Sequence, residues 1–215
     1  MVLTETRPTP TAASGGDPAP AAPRVHARVR ILGVADRLFY SEGVHTVGVD
    51  RIISEAQVTK ATFYKYYRSK DSLIVAYLQG RDKRSRDFVA ALEKREASAE
   101  LRLRAVVTDI SATLMDPAFR GCPFINAAAQ FAEIDHPVRA AVQAHREWYL
   151  TTVEALFRRL GHERAGDAAD EFFLARDGAF AFANLGDPVA ANAALHRAVE
   201  RVLHEATASP ALPPA

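Results

Sequence analysis

A helical repeat of apolar residues runs through the chain from residue 24 onward and constrains the fold more than any other feature. In the first helix four apolar residues stand at positions i, i+4, i+7 and i+8, namely Ile31, Ala35, Leu38 and Phe39. Residues with this spacing share one face of a helix. No sustained alternation of apolar and polar residues argues for strands. The sequence therefore predicts an all-α fold.

Capping and helix-breaking residues divide this pattern into separate helices. Gly43 is predicted to end the first helix, and Thr46 to cap a second over roughly residues 47–56. A third helix is predicted from Thr59 to about Tyr67, and Ser69 is predicted to cap a long fourth helix that begins at Lys70. The later helices are predicted over residues 98–114, from Cys122-Pro123, over 136–161, over 167–185 and over 188–206.

The segment TKATFYKYYRSKDSL, residues 59–73, mixes aromatic and basic side chains on a short helix. Helical geometry directs Val58, Phe63 and Tyr67 toward the preceding helix. The opposite stripe consists of Lys60, Ala61, Tyr64 and Lys65. Two short helices joined by about three residues are typical of a helix-turn-helix, whose second helix enters the major groove of DNA. From these residues alone, a three-helix module with a solvated basic face is the alternative.

The distribution of charge separates the chain into a basic and an acidic part. The formal net charge is only +1, but residues 24–86 have a balance of +7 and residues 87–215 a balance of −5. An anionic partner is therefore expected for the first part only. Residues 1–23 hold five prolines among Ala, Thr and Gly and are predicted to be a disordered tail.

Two stretches resemble a known family. GVDRIISEAQVTKATFYKYYRSKDSLIVAYL, residues 48–78, resembles the signature of the TetR family of transcriptional regulators. GCPFINAAAQF, residues 121–131, followed by HPVR, resembles the regulatory half of one large subgroup of that family. The resemblance implies a homodimer with an N-terminal DNA-binding domain and a C-terminal domain that binds a small-molecule effector. It also implies a repressor of transcription that binds a palindromic operator and is released by the effector.

The resemblance also implies roles for individual residues. Lys60, Ala61 and Thr62 correspond to positions near base edges, Tyr64 and Lys70 to phosphate contacts, and Tyr66 to a position near the DNA backbone. The chemistry of these side chains agrees, since Lys donates to guanine, an Ala methyl contacts thymine, and a phenol donates to phosphate. The predicted DNA-binding set is Thr46, Thr59, Lys60, Ala61, Thr62, Tyr64, Lys65, Tyr66 and Lys70.

Two positions depart from the family pattern. Gln57 stands where the turn usually has glycine, and a non-glycine residue with positive φ costs on the order of 1 kcal/mol. Val47-Gly48 stands where many members have a phosphate-binding Ser or Thr. That contact is expected to be missing, or to be made by Thr46 or by backbone N–H groups.

Aromatic residues in the second half are candidates for an effector pocket. A pocket and a core use the same residue types, so ordinary core packing is the alternative for each of them, and for His145 it is the favoured one. Asp177 interrupts an apolar helix and is expected to be paired with a ligand, a neighbouring helix or a second protomer. The predicted ligand-binding set is Phe124, Phe131, His145, Trp148, Tyr149, Phe173, Asp177 and Phe180.

Two other kinds of function were weighed against a ligand-responsive regulator. Cys122 is the single cysteine, and a thiol at a helix N-terminus can become redox-reactive, which gives a thiol-based redox sensor on the same scaffold. The second is an all-α enzyme that uses Cys122, Asp135, His136 or His145. No metal-ligand spacing, cofactor motif or phosphate loop supports an enzyme. We expect the protein to have neither a cofactor nor a metal.

The sequence also predicts the domain limits and the compartment. We expect a disordered tail over residues 1–23, a helix-turn-helix domain over 24–70, a regulatory domain over 71–206 and a disordered C-terminus over 207–215. One cysteine, no apolar run long enough to span a bilayer and no secretory signal favour a cytoplasmic protein with no membrane partner.

Overall fold

A chain without strands buries its apolar stripes by packing helices against one another. The computed structural model describes residues 26–96 and 98–208, and within those ranges it contains helices and no strands. The helices are α1 (Ala27–Glu42), α2 (Val49–Glu55), α3 (Lys60–Tyr66), α4 (Lys70–Arg95), α5 (Ala99–Leu114), α6 (Pro123–Ala128), α7 (Pro137–Arg159), α8 (Ala165–Asn184) and α9 (Pro188–Ala208). The predicted all-α fold is confirmed.

The first three helices form a small domain around a shared core. The predicted face of α1 is buried, and the side chains of Ile52 on α2 and Phe63 on α3 are completely buried against it. Gly43 has a φ of 92° and donates its N–H to the carbonyl of Phe39, which ends α1 as predicted. The predicted inward side of α3 is confirmed, because Phe63 and Tyr67 are buried and Val58 packs against the same core.

The start of α2 differs from the prediction. The helix begins at Val49 with Gly48 at the N-cap position, and no side chain caps it. Thr46 is therefore not the cap. The physical reason is that the side chains of Val44 and Val47 are both buried, which holds the preceding loop in the core and delays the first helical turn. In the turn after α2, Gln57 has a φ of 51°, the left-handed conformation expected where the family has glycine.

The long helix α4 connects the two halves of the molecule. Ser69 and Ser72 form a reciprocal capping box at its start, as expected for a helix with a sharply defined N-terminus. Its 26 residues extend for about 39 Å. It packs against α1 of the DNA-binding half and against α5, α6 and α7 of the other half. A movement of α4 would therefore change its contacts in both halves of the molecule.

The second half is a helical bundle in which α8 packs against both α7 and α9, and α5 contacts all three. Ser98 caps α5, and Pro123 and Pro137 open α6 and α7, as predicted. The last helix continues to Ala208, so Thr207 and Ala208 belong to α9 and not to the predicted disordered C-terminus. The predicted tail of residues 1–23 and residues 209–215 lie outside the described ranges. None of the described helices is long and apolar enough to cross a membrane.

Candidate DNA-binding surface and regulatory cavities

The exposed side of α3 forms a basic stripe on a rigid support. Lys60, Ala61, Tyr64 and Lys65 are exposed on this side, while Phe63 behind them is completely buried. The ring of Tyr64 packs edge-on against that of Phe63, with centroids 5.2 Å apart, so its hydroxyl is held outward. Lys60 makes only a long ion pair of 3.8 Å with Asp50, and both side chains are well exposed. A polyanion can therefore bind this stripe at a low cost in free energy, because no strong ion pair has to be broken.

Other predicted DNA-binding residues surround this stripe and some already have partners. Thr59 caps α3, since its hydroxyl accepts from the backbone N–H of Thr62 at 3.1 Å. The hydroxyl of Tyr66 bonds to a ring nitrogen of His26 at 3.2 Å, which ties α3 to the start of α1. Thr46 is exposed in the loop before α2. For Thr59 and Tyr66 the structure thus provides a local structural role.

Lys70 also has an internal partner. Its ammonium donates to the carbonyl oxygen of His45 at 3.1 Å, which fastens the loop before α2 to the start of α4. Burial lowers the pKa of Lys70, and the neighbouring charge of Asp71 opposes that effect. An ammonium has three donors, so two remain for a phosphate. Lys70 can therefore hold the loop and contact DNA at the same time.

Residues of the predicted ligand-binding set line two cavities, and the larger of these two lies between α4, α5 and α7 and has a volume of about 750 Å³. This is within the usual range for small-molecule sites. Two predicted residues, Trp148 and Tyr149, line it, and the guanidinium of Arg86 lies 4.3 Å from the centre of the Trp148 ring. Its other charged lining residues include Glu93, Arg102 and Arg159.

The smaller cavity has a volume of about 200 Å³ and lies where α1 and α4–α8 approach each other. Arginines of α4 and α8 line it, together with the rings of side chains on α1, α6, α7 and α8. Four residues of the predicted ligand-binding set line it, namely Phe124, His145, Tyr149 and Phe180. Tyr149 lines both cavities.

His145 is a buried and hydrogen-bonded histidine, as favoured from the sequence. Its Nδ1 lies 2.8 Å from a carboxylate oxygen of Asp82, and its ring stacks on Phe124 with centroids 3.6 Å apart. Burial lowers the pKa of His145 even though Asp82 opposes that effect. Burial raises the pKa of Asp82, but hydrogen bonds from Arg86 and His145 outweigh it, and the net pKa lies below the usual value. This pair links α7 to α4.

Asp177 is half-buried and paired with two arginines. It accepts from Arg146 on α7 at 3.1 Å and from its neighbour Arg176 at 2.6 Å. Of the partners considered for it, a neighbouring helix is the one observed. Arg176 is nine-tenths buried, and its guanidinium also lies 3.9 Å from the thiol sulfur of Cys122 at the start of α6.

Two predicted pocket aromatics and Asp177 lie outside the linings of these cavities. Phe173 is buried against Tyr149 in an edge-on contact of 5.3 Å. Phe131 stacks on His136 at 4.3 Å and contacts the ring of His45 at 4.8 Å. Phe131 is thus part of the contact between the N-terminal domain and the bundle.

The junction between the two halves is hydrogen-bonded as well as packed. The hydroxyl of Tyr40 accepts from the backbone N–H of Arg120 at 3.0 Å and donates to the carbonyl of Gly121 at 3.2 Å. The side chain of Gln130 accepts from the backbone N–H of His45 at 3.1 Å. Both ends of residues 120–130, which contain α6 and are called the α6 segment, are therefore attached to the DNA-binding half.

The two histidines considered for an enzyme are each paired with a different carboxylate. His136 caps α7 and lies 3.5 Å from Asp71, while His145 bonds to Asp82. Among residues 26–96 and 98–208, His, Cys, Asp and Glu side chains form no group of three that could hold a metal ion.

Comparison with known proteins assigns both halves. A model described as bacterial regulatory proteins, tetR family, matches residues 31–77, and one described as tetracyclin repressor-like, C-terminal domain, matches residues 99–172. The solved structure of SCO4454, a TetR-family transcriptional regulator from Streptomyces coelicolor, is 42% identical with a TM-score of 0.81. The match covers 84% of this chain and 96% of that one. The chain belongs to the TetR family.

Other relatives of this TetR-family chain are more distant. A putative TetR regulator from Streptomyces avermitilis is 25% identical over 82% of this chain and 99% of its own, with a TM-score of 0.69. Two uncharacterized HTH-type transcriptional regulators from strains of Mycobacterium tuberculosis are 26% identical over 61% of this chain. The match spans 62% of the length of these curated relatives. The chain is thus a TetR-family transcriptional regulator with a helix-turn-helix domain, and a homodimer is typical of the family.

Sequence reasoning missed three polar residues of this TetR-family chain that join its parts. Arg176 interrupts the apolar run FFLARDGAFAFA beside Asp177, and its charge in that run was a usable signal. Tyr40 and Gln130 gave no such signal. Their partners lie 80 or more positions away along the chain.

Proposed function

We propose that this TetR-family regulator is a repressor that binds a palindromic operator as a homodimer and is released by a small-molecule effector. The observation that carries the DNA-binding part is the exposed stripe of α3, which presents Lys60, Ala61 and Tyr64 from a helix fixed by the buried ring of Phe63. Lys60, Ala61 and Thr62 contact base edges, and Tyr64 and Lys70 contact phosphates. Base contacts specify sequence, whereas phosphate contacts position the protein.

The proposed dimer uses the outer face of α8. Leu174 is 72% exposed, Phe182 46% and Leu185 85%, and Gly178 lies between them on the same face. Apolar residues of this size on one exposed face favour burial against another protein surface. A second copy in a two-fold arrangement buries the same residues from both protomers and places two α3 helices on one side of the dimer. That geometry requires an operator with two symmetric half-sites.

The proposed route from effector to DNA passes through α4 and α6. Asp82 on α4 is bonded to His145 on α7, and the α6 segment is bonded to Tyr40 and His45 of the DNA-binding half. Both cavities border α4 and α7. An effector that fits better when α4 or α6 has shifted favours the form that does not fit the operator.

Solved relatives support effector binding by this fold in general. FadR from Bacillus subtilis, 16% identical with a TM-score of 0.68, was solved in complex with stearoyl-CoA and matches 82% of this chain and 98% of its own. At this identity the likeness shows the fold alone, so that ligand does not transfer. Because a regulator acts where the DNA is, the proposed location is the cytoplasm.

The redox alternative places the switch at Cys122. Its thiol is buried, and the sulfur lies 3.9 Å from Nη2 of Arg176. Operator binding measured with and without peroxide tests this alternative. If Cys122 is the switch, peroxide changes operator binding by the wild type and not by a Cys122→Ser variant.

Mapping the DNA that the full chain binds tests the proposal. We expect a duplex with two inverted half-sites, one dimer per duplex, and affinity that falls steeply as salt rises. Binding that shows no preference for any sequence over scrambled DNA would contradict it.

A further inference from the structure

The smaller cavity contains a buried charged group whose hydrogen-bond donors are only partly satisfied. Arg176 lines the cavity and is nine-tenths buried. Its Nη1 is bonded to Asp177 at 2.6 Å, and its Nη2 has the thiol of Cys122 at 3.9 Å. Among the described residues its Nε has no hydrogen-bond partner. A buried donor of a charged group left without a partner is costly, and a thiol is only a weak acceptor.

The free part of this guanidinium is the edge that binds carboxylates. Nε and Nη2 form one side of the guanidinium and point in parallel, so a carboxylate can accept from both. The same protein shows this arrangement at Arg81, whose Nε and Nη2 donate to the two carboxylate oxygens of Asp36 at 2.8 and 3.0 Å. Arg81 thus has a carboxylate on this edge, and Arg176 has none.

The remaining charges of the cavity do not compete for an anion. Arg81 and Arg84, which also line it, are both paired with Asp36. Asp109 is the acidic lining residue, and burial raises its pKa. The lining leaves Arg176 as the cation with an open hydrogen-bonding edge.

The shape of the cavity limits the rest of the ligand. Its volume of about 200 Å³ lies below the range of drug-sized sites and equals about seven water molecules in the liquid. Phe119, Phe124 and Phe180 line it, and the Phe180 ring lies 4.4 Å from the centre of the Arg176 guanidinium. A single flat apolar group can pack against these three rings.

We propose that the smaller cavity binds a small organic carboxylate with one flat apolar group, whose carboxylate accepts from Nε and Nη2 of Arg176. The proposal rests on the proposed regulation by a small molecule and names its chemical class. A carboxylate that accepts from Nη2 replaces the weak contact of Arg176 with the thiol of Cys122 at the start of α6. The residues just before Cys122, Arg120 and Gly121, are the ones bonded to Tyr40 in the DNA-binding half. Loss of the contact between Arg176 and Cys122 is thus transmitted to α1 through residues 120–122.

Binding of simple probe acids tests the assignment. The full chain is titrated by calorimetry with benzoate and phenylacetate, and with benzamide and phenylacetamide, which match them in shape but carry no charge. We expect the acids to bind on the order of ten- to a hundredfold more tightly than the amides, since hydrogen bonds to charged groups contribute that much.

Two substitutions at Arg176 and one control identify the site. Arg176→Lys keeps the charge but lacks the paired edge, and Arg176→Gln lacks the charge, so both should weaken acid binding about tenfold or more. Arg159→Gln, the same change in the larger cavity, should leave it unchanged. Circular dichroism melting identifies any variant that has lost its fold. The acid-to-amide ratio measured on the wild-type chain does not depend on the variants.

Specific outcomes overturn the proposal. Equal binding of acids and amides, no binding of either acid at millimolar concentration, or acid binding by a folded Arg176→Lys variant equal to the wild type would each do so. Operator binding by the ligand-free chain is measured separately. Failure there contradicts the proposed regulator and leaves the acid site to be judged by calorimetry.

Discussion

Replacement of Tyr64 by phenylalanine isolates one contact of the proposed DNA interface. Tyr64 is 45% exposed, and its ring packs edge-on against buried Phe63 at 5.2 Å. Phenylalanine keeps that ring contact and removes only the hydroxyl, so we expect the melting temperature to remain unchanged. Any loss of DNA affinity then reports the hydrogen bond to phosphate.

The size of the loss follows from the type of bond and the symmetry of the dimer. A hydrogen bond to a charged group contributes about 1.5–3 kcal/mol, and an exposed position favours the lower end. Two symmetric contacts then contribute about 3 kcal/mol, which weakens binding about a hundredfold. Because the hydroxyl has no charge, no counterion is released with it, and the slope of log affinity against log salt should stay the same.

Lys60→Ala is the matched comparison on the same stripe. Lys60 has only a 3.8 Å ion pair with exposed Asp50, so its loss should hardly affect stability. We expect a weaker preference for the operator over scrambled DNA, because Lys60 is proposed to contact base edges. Fluorescence anisotropy over a salt series, with operator and scrambled duplexes, measures both variants. The reasoning is refuted if Tyr64→Phe changes the sequence preference or lowers the salt slope.

Three further predictions concern stability and assembly. Phe63→Ala should lower the free energy of unfolding by about 3–5 kcal/mol, since its side chain is fully buried, and urea titration measures this change. Burial lowers the pKa of His145, so the unfolded chain gains its proton first as the pH falls below 6.5. The free energy of unfolding should then fall by up to about 1.4 kcal/mol per pH unit, and His145→Gln should flatten that dependence in urea titrations; an unchanged slope would exclude His145 as its source. Leu185→Glu should shift the protein toward monomers in analytical ultracentrifugation while the monomer stays helical, because Leu185 is 85% exposed on the proposed dimer face.

Local chemistry made the helices predictable from the sequence. Ser69, Ser98 and Pro137 act on the helix ends next to them, and the structure has α4, α5 and α7 begin where these residues predict. The buried side of α3 was equally predictable, because the positions of Phe63 and Tyr67 around a helix axis follow from their spacing. The start of α2 was not, since it depends on the burial of Val44 and Val47 against other helices.

The regulatory cavities were less predictable because they depend on contacts between distant residues. Asp177 and Arg176 are adjacent in one apolar run, and periodicity alone does not decide which of two neighbours turns inward. The structure buries Arg176 and leaves Asp177 half-exposed. Phe124 and Phe131 looked equivalent in one motif, yet Phe124 lines a cavity and Phe131 packs on His136. The position of each depends on the packing of several helices at once.

The attachment of Tyr40 to the α6 segment has a consequence for building chimeric regulators. Helix α1 belongs by sequence to the DNA-binding half, yet Tyr40 bonds to Arg120 and Gly121, and Asp36 pairs with Arg81 of α4. A transplant that exchanges all of residues 24–70 between relatives would replace one side of these bonds and leave the other unmatched. Exchanging residues 48–69 alone keeps them intact. The bonds of α1 to α4 and α6 therefore favour a transplant limited to α2 and α3, provided that the ion pairs of Arg37 with Glu55 and of Arg51 with Glu42 are kept.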